Sequence, residues 1–242
     1  MTTEILILAA GHAEPDSRDG DYPLCLADFN GVSLLEKIID STNHLSDCRY
    51  TFAVKKSDVS QNHINEVINL LLPRARVVQI EETTKGSACT ALMAACQLPA
   101  SHELLIVSAN EWLDTSYQDL LVQCRKKSLD GAVFIFPSIH PRYSFVRLND
   151  EGFVVEAAQR HPISRHATTG SFWFLRCEDF VRAATAMLRK DVRVDGNFFI
   201  APALNEMILW QRRIGALPIN PECYHPLKSD RQVHQFEIYG VH

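Results

Sequence analysis

The strongest constraint on the fold is an alternation of apolar runs with amphipathic segments over the first 136 residues. Glu4–Ala10 (EILILAA) is apolar from Ile5 onward and ends in Gly11. Leu104–Ser108 (LLIVS) and Gly131–Phe136 repeat the pattern, and Tyr50–Val54 and Arg76–Ile80 are shorter versions of it. Such runs suit strands buried on both faces of a parallel sheet. Between them, Ser33–His44, Ser60–Leu72 and Ser116–Lys127 carry helical spacing, as at Ile64, Val67, Ile68 and Leu71. Gly86–Cys96 is small and apolar, which predicts a helix packed closely on the sheet. The order predicts a doubly wound α/β sheet.

After residue 136 the pattern changes. Tyr143–Leu148, the turn Asn149-Asp150-Glu151-Gly152 and Phe153–Ala158 predict an antiparallel hairpin. Thr169–Leu175 and Ile214–Ile219 read as strands, and Asp179–Lys190 and Phe199–Arg212 as helices. The expectation is one domain, 1–242, with a first half 1–136, a second half 137–219 and a tail 220–242. In open sheets ligands bind outside the carboxyl ends of the parallel strands. The loops to inspect are therefore Gly11–Pro23, Glu82–Gly86 and Ser108–Asp114.

Charge and cysteine content narrow the class. Lys and Arg total 24 against 29 Asp and Glu, a net −5, which argues against a general nucleic-acid binder. No apolar run approaches the roughly 20 residues of a membrane helix. The start, Met-Thr-Thr-Glu, lacks the basic region of a secretory signal. The seven Cys are scattered without C-x-x-C spacing, so reduced thiols and a cytoplasmic location are expected.

Six segments carry a family resemblance. They are LILAAG at 6–11, Leu26–Gly31 (LADFNG), Thr84–Leu92 (TKGSACTAL), Ile139–Leu148 (IHPRYSFVRL), Val155–Gly170 (VEAAQRHPISRHATTG) and Val194–Glu206 (VDGNFFIAPALNE). In this order they resemble motifs of the nucleotidyltransferases that activate sugar phosphates. Within these the chain is similar to the "TEGAACT" subgroup associated with capsule and cell-surface glycan synthesis. The resemblance spans about residues 4 to 215. It implies a three-layer α/β domain with a mixed, mostly parallel sheet, of the nucleotidyltransferase (GT-A-like, Rossmann-like) kind. It also implies an NTP or nucleotide-sugar as partner.

In that family an NTP lies over a Gly-rich loop whose backbone N–H groups hold the phosphates. A phosphorylated acceptor attacks the α-phosphorus and pyrophosphate leaves. An Arg, a Lys and Mg²⁺ held by acidic residues stabilise the charge that builds. The resemblance places Ala9, Ala10, Gly11, His12, Gly86, Ser87, Ala88 and Asn110 at the nucleotide. It places His140, Gln159, Arg160, Gly170 and Asn197 at the acceptor. The reacting centre, however, departs from the family. Its G-x-G-x-R loop reads Gly11-His12-Ala13-Glu14-Pro15, so Pro15 stands at the Arg position, and Leu24 stands at the Lys position. Asn110 and Asn197 occupy the two metal-carboxylate positions, and Gln159 replaces a Glu. Groups of this type are often worth about 10²–10³ each in rate.

Three readings follow. The chain is an enzyme in which Arg18, Glu111, Asp195 and Asp28 replace the missing groups, with Mg²⁺ as cofactor. Or it is a non-catalytic binding or regulatory subunit. Or it is a glycosyltransferase of related fold, whose D-x-D signature Asp19-Gly20-Asp21 imitates in the wrong loop. Plainer alternatives stand beside single motifs. Gly86-Ser87-Ala88 is either base recognition or a small-residue helix start. His140-Pro141-Arg142 is either a ligand contact or a turn. Arg160, His161, Arg165 and His166 are either a phosphate-binding cluster or a solvated loop. The tail 220–242 departs from the family ending and is a candidate contact with a protein partner or a second copy.

Overall fold

The computed structural model describes residues 2–11, 22–29, 31–81 and 84–227. In chain order, β1 (Thr3–Leu8), β2 (Asp28–Phe29) and β3 (Val32–Ser33) lead into α1 (Leu34–Thr42). β4 (Cys48–Lys55) leads into α2 (Lys56–Asn62) and α3 (Ile64–Leu71), and β5 (Arg76–Ile80) into α4 (Ser87–Ala95). β6 (Glu103–Ser108) and β7 (Glu111–Leu113) precede α5 (Tyr117–Lys126). The second half holds β8 (Gly131–Pro137), β9 (Ser144–Leu148), β10 (Val154–Gln159) and β11 (His166–Phe174). It ends with α6 (Cys177–Arg189), α7 (Ile200–Leu209), β12 (Ile214–Pro218) and β13 (Tyr224–Pro226).

Nine of these strands form one sheet. Its main path runs β10-β9-β11-β6-β1-β4-β5, and β8 joins β11 to β12. β1 is parallel to β4 and β6, β4 to β5, and β8 to β12. β11 runs antiparallel to β6, β8 and β9. Phe172–Phe174 pair with β6, whereas Ala167 and Thr168 pair with β9. β11 thus passes from one neighbour to the other across Thr169–Ser171, where its register against β8 also shifts.

Alternation along the central strands sends successive side chains to opposite faces. Ile5, Ile7, Phe52, Val54, Leu105 and Val107 belong to one buried cluster, with Leu34 and Ile38 of α1 and Ile64 and Ile68 of α3. Leu6, Leu8, Ala53, Leu104 and Ile106 belong to the other, with Phe180 and Met187 of α6 and Leu204 and Met207 of α7. Helices therefore cover both faces, giving three layers as expected. α4 presents Ala88, Ala91, Ala94 and Ala95 to the sheet, all buried, so its small side chains allow close packing.

The expected elements shift in three places. Ser60–Leu72 is not one helix. α2 and α3 meet at His63, whose φ of 51° is left-handed and breaks the helical ladder. Ser108–Asp114 is not all loop, because it contains β7. The tail begins inside the fold, since β13 pairs Tyr224 with Leu113, His225 with Trp112 and Pro226 with Glu111. Among the described residues no helix is long and apolar enough to cross a membrane.

Candidate functional site

An open cleft with a cavity volume of about 200 Å³ lies at the carboxyl ends of β1 and β6, where Leu8 and Ser108 line it. One wall is built around Gly86. Its φ of 105° is one that L side chains rarely adopt, and a Cβ there would meet the Phe198 carbonyl oxygen at 2.3 Å. That close approach lets the Ala88 N–H donate to the Phe198 carbonyl (3.1 Å) and the Phe198 N–H donate to the Lys85 carbonyl (2.8 Å). The start of α4 is thereby stitched to the 197–201 segment. Ser87, Phe199, Ile200 and Ala201 form this side of the cleft.

The floor is the turn between β6 and β7. The Ser108 hydroxyl donates to Asn110 Oδ1 at 2.6 Å. Glu111 is only 2% exposed. Its Oε1 accepts from the Gly170 N–H at 2.5 Å and its Oε2 from the Tyr224 hydroxyl at 2.9 Å. A buried carboxylate is tolerated when donors satisfy it in this way. Burial, and then the neighbouring Glu111 charge, push the Tyr224 phenol well above its ordinary pKa. Tyr224 therefore remains a donor.

The far wall is the open end of the β9–β10 hairpin. Ser144 and Gln159 face each other in register, and the serine hydroxyl donates to the glutamine carbonyl. One step outward the Arg160 N–H donates to the Tyr143 carbonyl at 2.9 Å, which brings Arg142 and Arg160 to the same mouth. Arg160 reaches Asp195 Oδ2 with Nη1 at 2.7 Å and lies 5.7 Å from the Phe199 ring. Arg142 lies 5.9 Å from the Tyr143 ring. Tyr143, Phe136 and Tyr224 pack together, with Phe136 4.5 Å from Tyr224 and 5.0 Å from Tyr143. Thr168 lines the cleft, and its buried Oγ1 has no hydrogen-bond partner among the described residues.

Ser87, Asn110, Glu111, Gln159, Arg160 and Gly170, named from sequence, therefore line one cleft. Ala9 and Ala10 directly follow β1, and Gly11 comes next. Ala88 is fully buried in α4, with its N–H already used. His140 and Asn197 lie outside the lining. His140 Nδ1 accepts from the Arg142 N–H at 3.2 Å, and the Asn197 amide donates to the Asp195 carbonyl at 3.1 Å. Asp195 reaches the cleft only through Arg160. Asp28 accepts from the Gly31 N–H at 2.8 Å, and Leu24 packs on the core. His12, Pro15, Arg18 and Asp19-Gly20-Asp21 lie outside the described residues. Sequence reasoning passed over Tyr143, Ser144, Thr168, Phe199 and Tyr224 as site residues. Only Tyr224 lies beyond the resembling segments, and nothing local marks it.

Among the described residues the donor set does not suit the Mg²⁺ that the fold's chemistry would bring. Mg²⁺ wants a near-octahedral set of oxygens with carboxylates among them. Asn110 offers a neutral amide oxygen already bonded to Ser108, both Glu111 oxygens hold protein donors, and Asp195 is engaged by Arg160.

No protein-family model matches the chain, and no curated protein sequence matches it. Solved structures do. The nucleoside-diphosphate-sugar pyrophosphorylase of Vibrio cholerae RC9 superposes with a TM-score of 0.82 at 18% identity, over 96% of this chain and 99% of that one. A UDP-glucose pyrophosphorylase in complex with UDP-glucose gives 0.78 at 13% identity, over 98% of each chain. The inositol-1-phosphate CTP transferase of T. maritima gives 0.72 at 15%, over 100% of this chain and 98% of that one. The molecule is thus an α/β protein with an open cleft at the carboxyl ends of parallel strands in a mixed sheet. Its fold is the nucleotidyltransferase fold.

Proposed function

We propose that the chain binds a nucleotide-sugar or NTP in this cleft and holds it without Mg²⁺-dependent nucleotidyl transfer. The observation that carries the reading is the state of the acids at the β6–β7 turn. Asn110 stands where the resemblance puts a metal carboxylate, and the adjacent Glu111 is turned inward onto Gly170 and Tyr224. Among the described residues, the polar groups left facing the cleft are hydroxyls, amides and the guanidinium groups of Arg142 and Arg160. Such a set suits a phosphorylated ligand whose charge is met by guanidinium groups. The match to a structure that holds UDP-glucose supports a nucleotide-sugar as first probe. By its resemblance to the capsule subgroup, the chain works in the cytoplasm beside surface-glycan synthesis, as a binding or regulatory subunit.

The test is a melting-temperature panel of NTPs and nucleotide-sugars, each with Mg²⁺ and with EDTA, coupled to a pyrophosphate assay. At 100 times Kd a ligand adds about 2.7 kcal/mol, or about 5–10 °C for a chain of this size. The expected result is a shift that EDTA does not change, with no pyrophosphate released. Mg²⁺-dependent pyrophosphate release would return the chain to the enzymes, with the catalytic groups rearranged. Absence of any shift across the panel would remove the nucleotide reading.

A further inference from the structure

The C-terminal segment from Pro221 to Leu227 touches the cleft at more points than a closing strand requires. Its backbone holds the β6–β7 turn, since the Leu227 N–H donates to the Asn110 carbonyl (2.9 Å) and the Asp114 N–H donates to the Cys223 carbonyl (2.8 Å). Its His225 ring stacks on Trp112 at 4.7 Å. Its Tyr224 hydroxyl holds Glu111, and Glu111 holds the Gly170 N–H. Gly170 sits where β11 passes from β6 to β9, the step that shapes the floor beside Thr168 and Thr169. A Cβ at Gly170 would meet Ser108 Cβ at 2.8 Å and Glu111 Oε2 at 2.9 Å, so this junction has no slack. The Tyr224 ring also packs against Phe136 and Tyr143, next to Arg142.

We infer that Tyr224 and Glu111 are positioning residues: together they tie the C-terminal segment to Gly170, and this tie sets the cleft in its ligand-binding shape. The β6–β7 turn, β11 and β13 converge on one hydroxyl–carboxylate–amide chain. A buried carboxylate oxygen that loses its donor keeps the full desolvation penalty, so the chain is sensitive to loss of a single oxygen atom. Coupling of this kind is reciprocal: a ligand that needs the assembled floor also stabilises the segment that assembles it.

The experiment is Tyr224→Phe, which keeps the ring and removes only the hydroxyl, with Glu111→Gln as the second variant. Deuterium uptake is followed at 168–172 and at the Leu227 amide, with β4 as internal reference. UDP-glucose affinity is measured well below each variant's melting temperature. This affinity arm rests on the nucleotide reading above; the exchange arm needs no ligand. The expected result is faster uptake at 168–172 in both variants with β4 unchanged, and a Kd weakened about tenfold. UDP-glucose should also slow exchange at the Leu227 amide in the native chain and not in Tyr224→Phe, a loss that a purely structural role would not produce. Unchanged uptake at 168–172 overturns the proposal whatever the ligand does. Faster uptake with native affinity and native coupling overturns it as well. If the native chain binds no nucleotide, that reading fails by itself, and the exchange arm still decides whether the tie shapes the floor.

Discussion

At the scale of single residues, one side chain's direction changes the functional reading. Glu111 was legible as an acid next to Asn110 that a kept backbone points away from the metal position, but its partner was not, because Tyr224 lies 113 positions away. The sequence motif did single out Gly86, and the structure supplies the physical reason. With φ at 105° and the Phe198 carbonyl 2.3 Å from any Cβ, neither rotation nor a flexible neighbour relieves a side chain there. Gly86→Ala is expected to cost about 3 kcal/mol or more, since backbone strain of about 1–3 kcal/mol adds to a clash with main chain. Urea unfolding measures this, and a loss under about 1 kcal/mol would mean that the stitch between α4 and the 197–201 segment yields.

At the scale of elements, the long periodic segments were legible and the short ones were not. A run such as LLIVS declares a buried strand by itself. β2, β3, β7 and β13 have two or three residues each, too few to show a period, and β7 finds β13 only through the fold. The break at His63 was equally hidden, since no Gly or Pro marks it. The start of α1 was readable: Ser33 and Glu36 form a capping box, with the Glu36 N–H on Ser33 Oγ and the Ser33 N–H on Glu36. Ser33→Ala should cost about 1 kcal/mol at neutral pH. The hydrogen bonds from the Ser33 backbone, and then from its side chain, hold the Glu36 carboxyl below its ordinary 4.5. The folded pKa is thus the lower one. The carboxylate's contribution is complete above the unfolded value and is lost as pH falls through the folded one. The gap between native and Ser33→Ala stability should therefore narrow as pH falls below the ordinary 4.5 and on through the lower folded value. A gap that stays constant in acid would show that the box contributes nothing through its charge.

At the scale of the whole molecule, the two halves read from the sequence share one interior. Phe145, Ala167, Trp173 and Leu217 of 137–219 sit in the same cluster as Ile5, Phe52 and Leu105. Val146, Phe172 and Met207 sit with Leu6, Ala53 and Ile106 on the other face. Neither half would keep a closed core alone, because β11 and β6 are adjacent strands of one sheet. The sequence showed where the pattern changed, at about residue 136, but a change of pattern is not a boundary in packing. The Lys85–Phe198–Ala88 stitch and the β7–β13 pairing add two further crossings, both next to the cleft. A ligand in that cleft touches both halves, so its binding energy bears on the global transition rather than on one half. Calorimetry should accordingly give one endotherm whose van't Hoff and calorimetric enthalpies agree, and ligand should move it as a single peak. Two resolved endotherms, with ligand moving only the first, would mean that residues 1–136 fold as a separate unit.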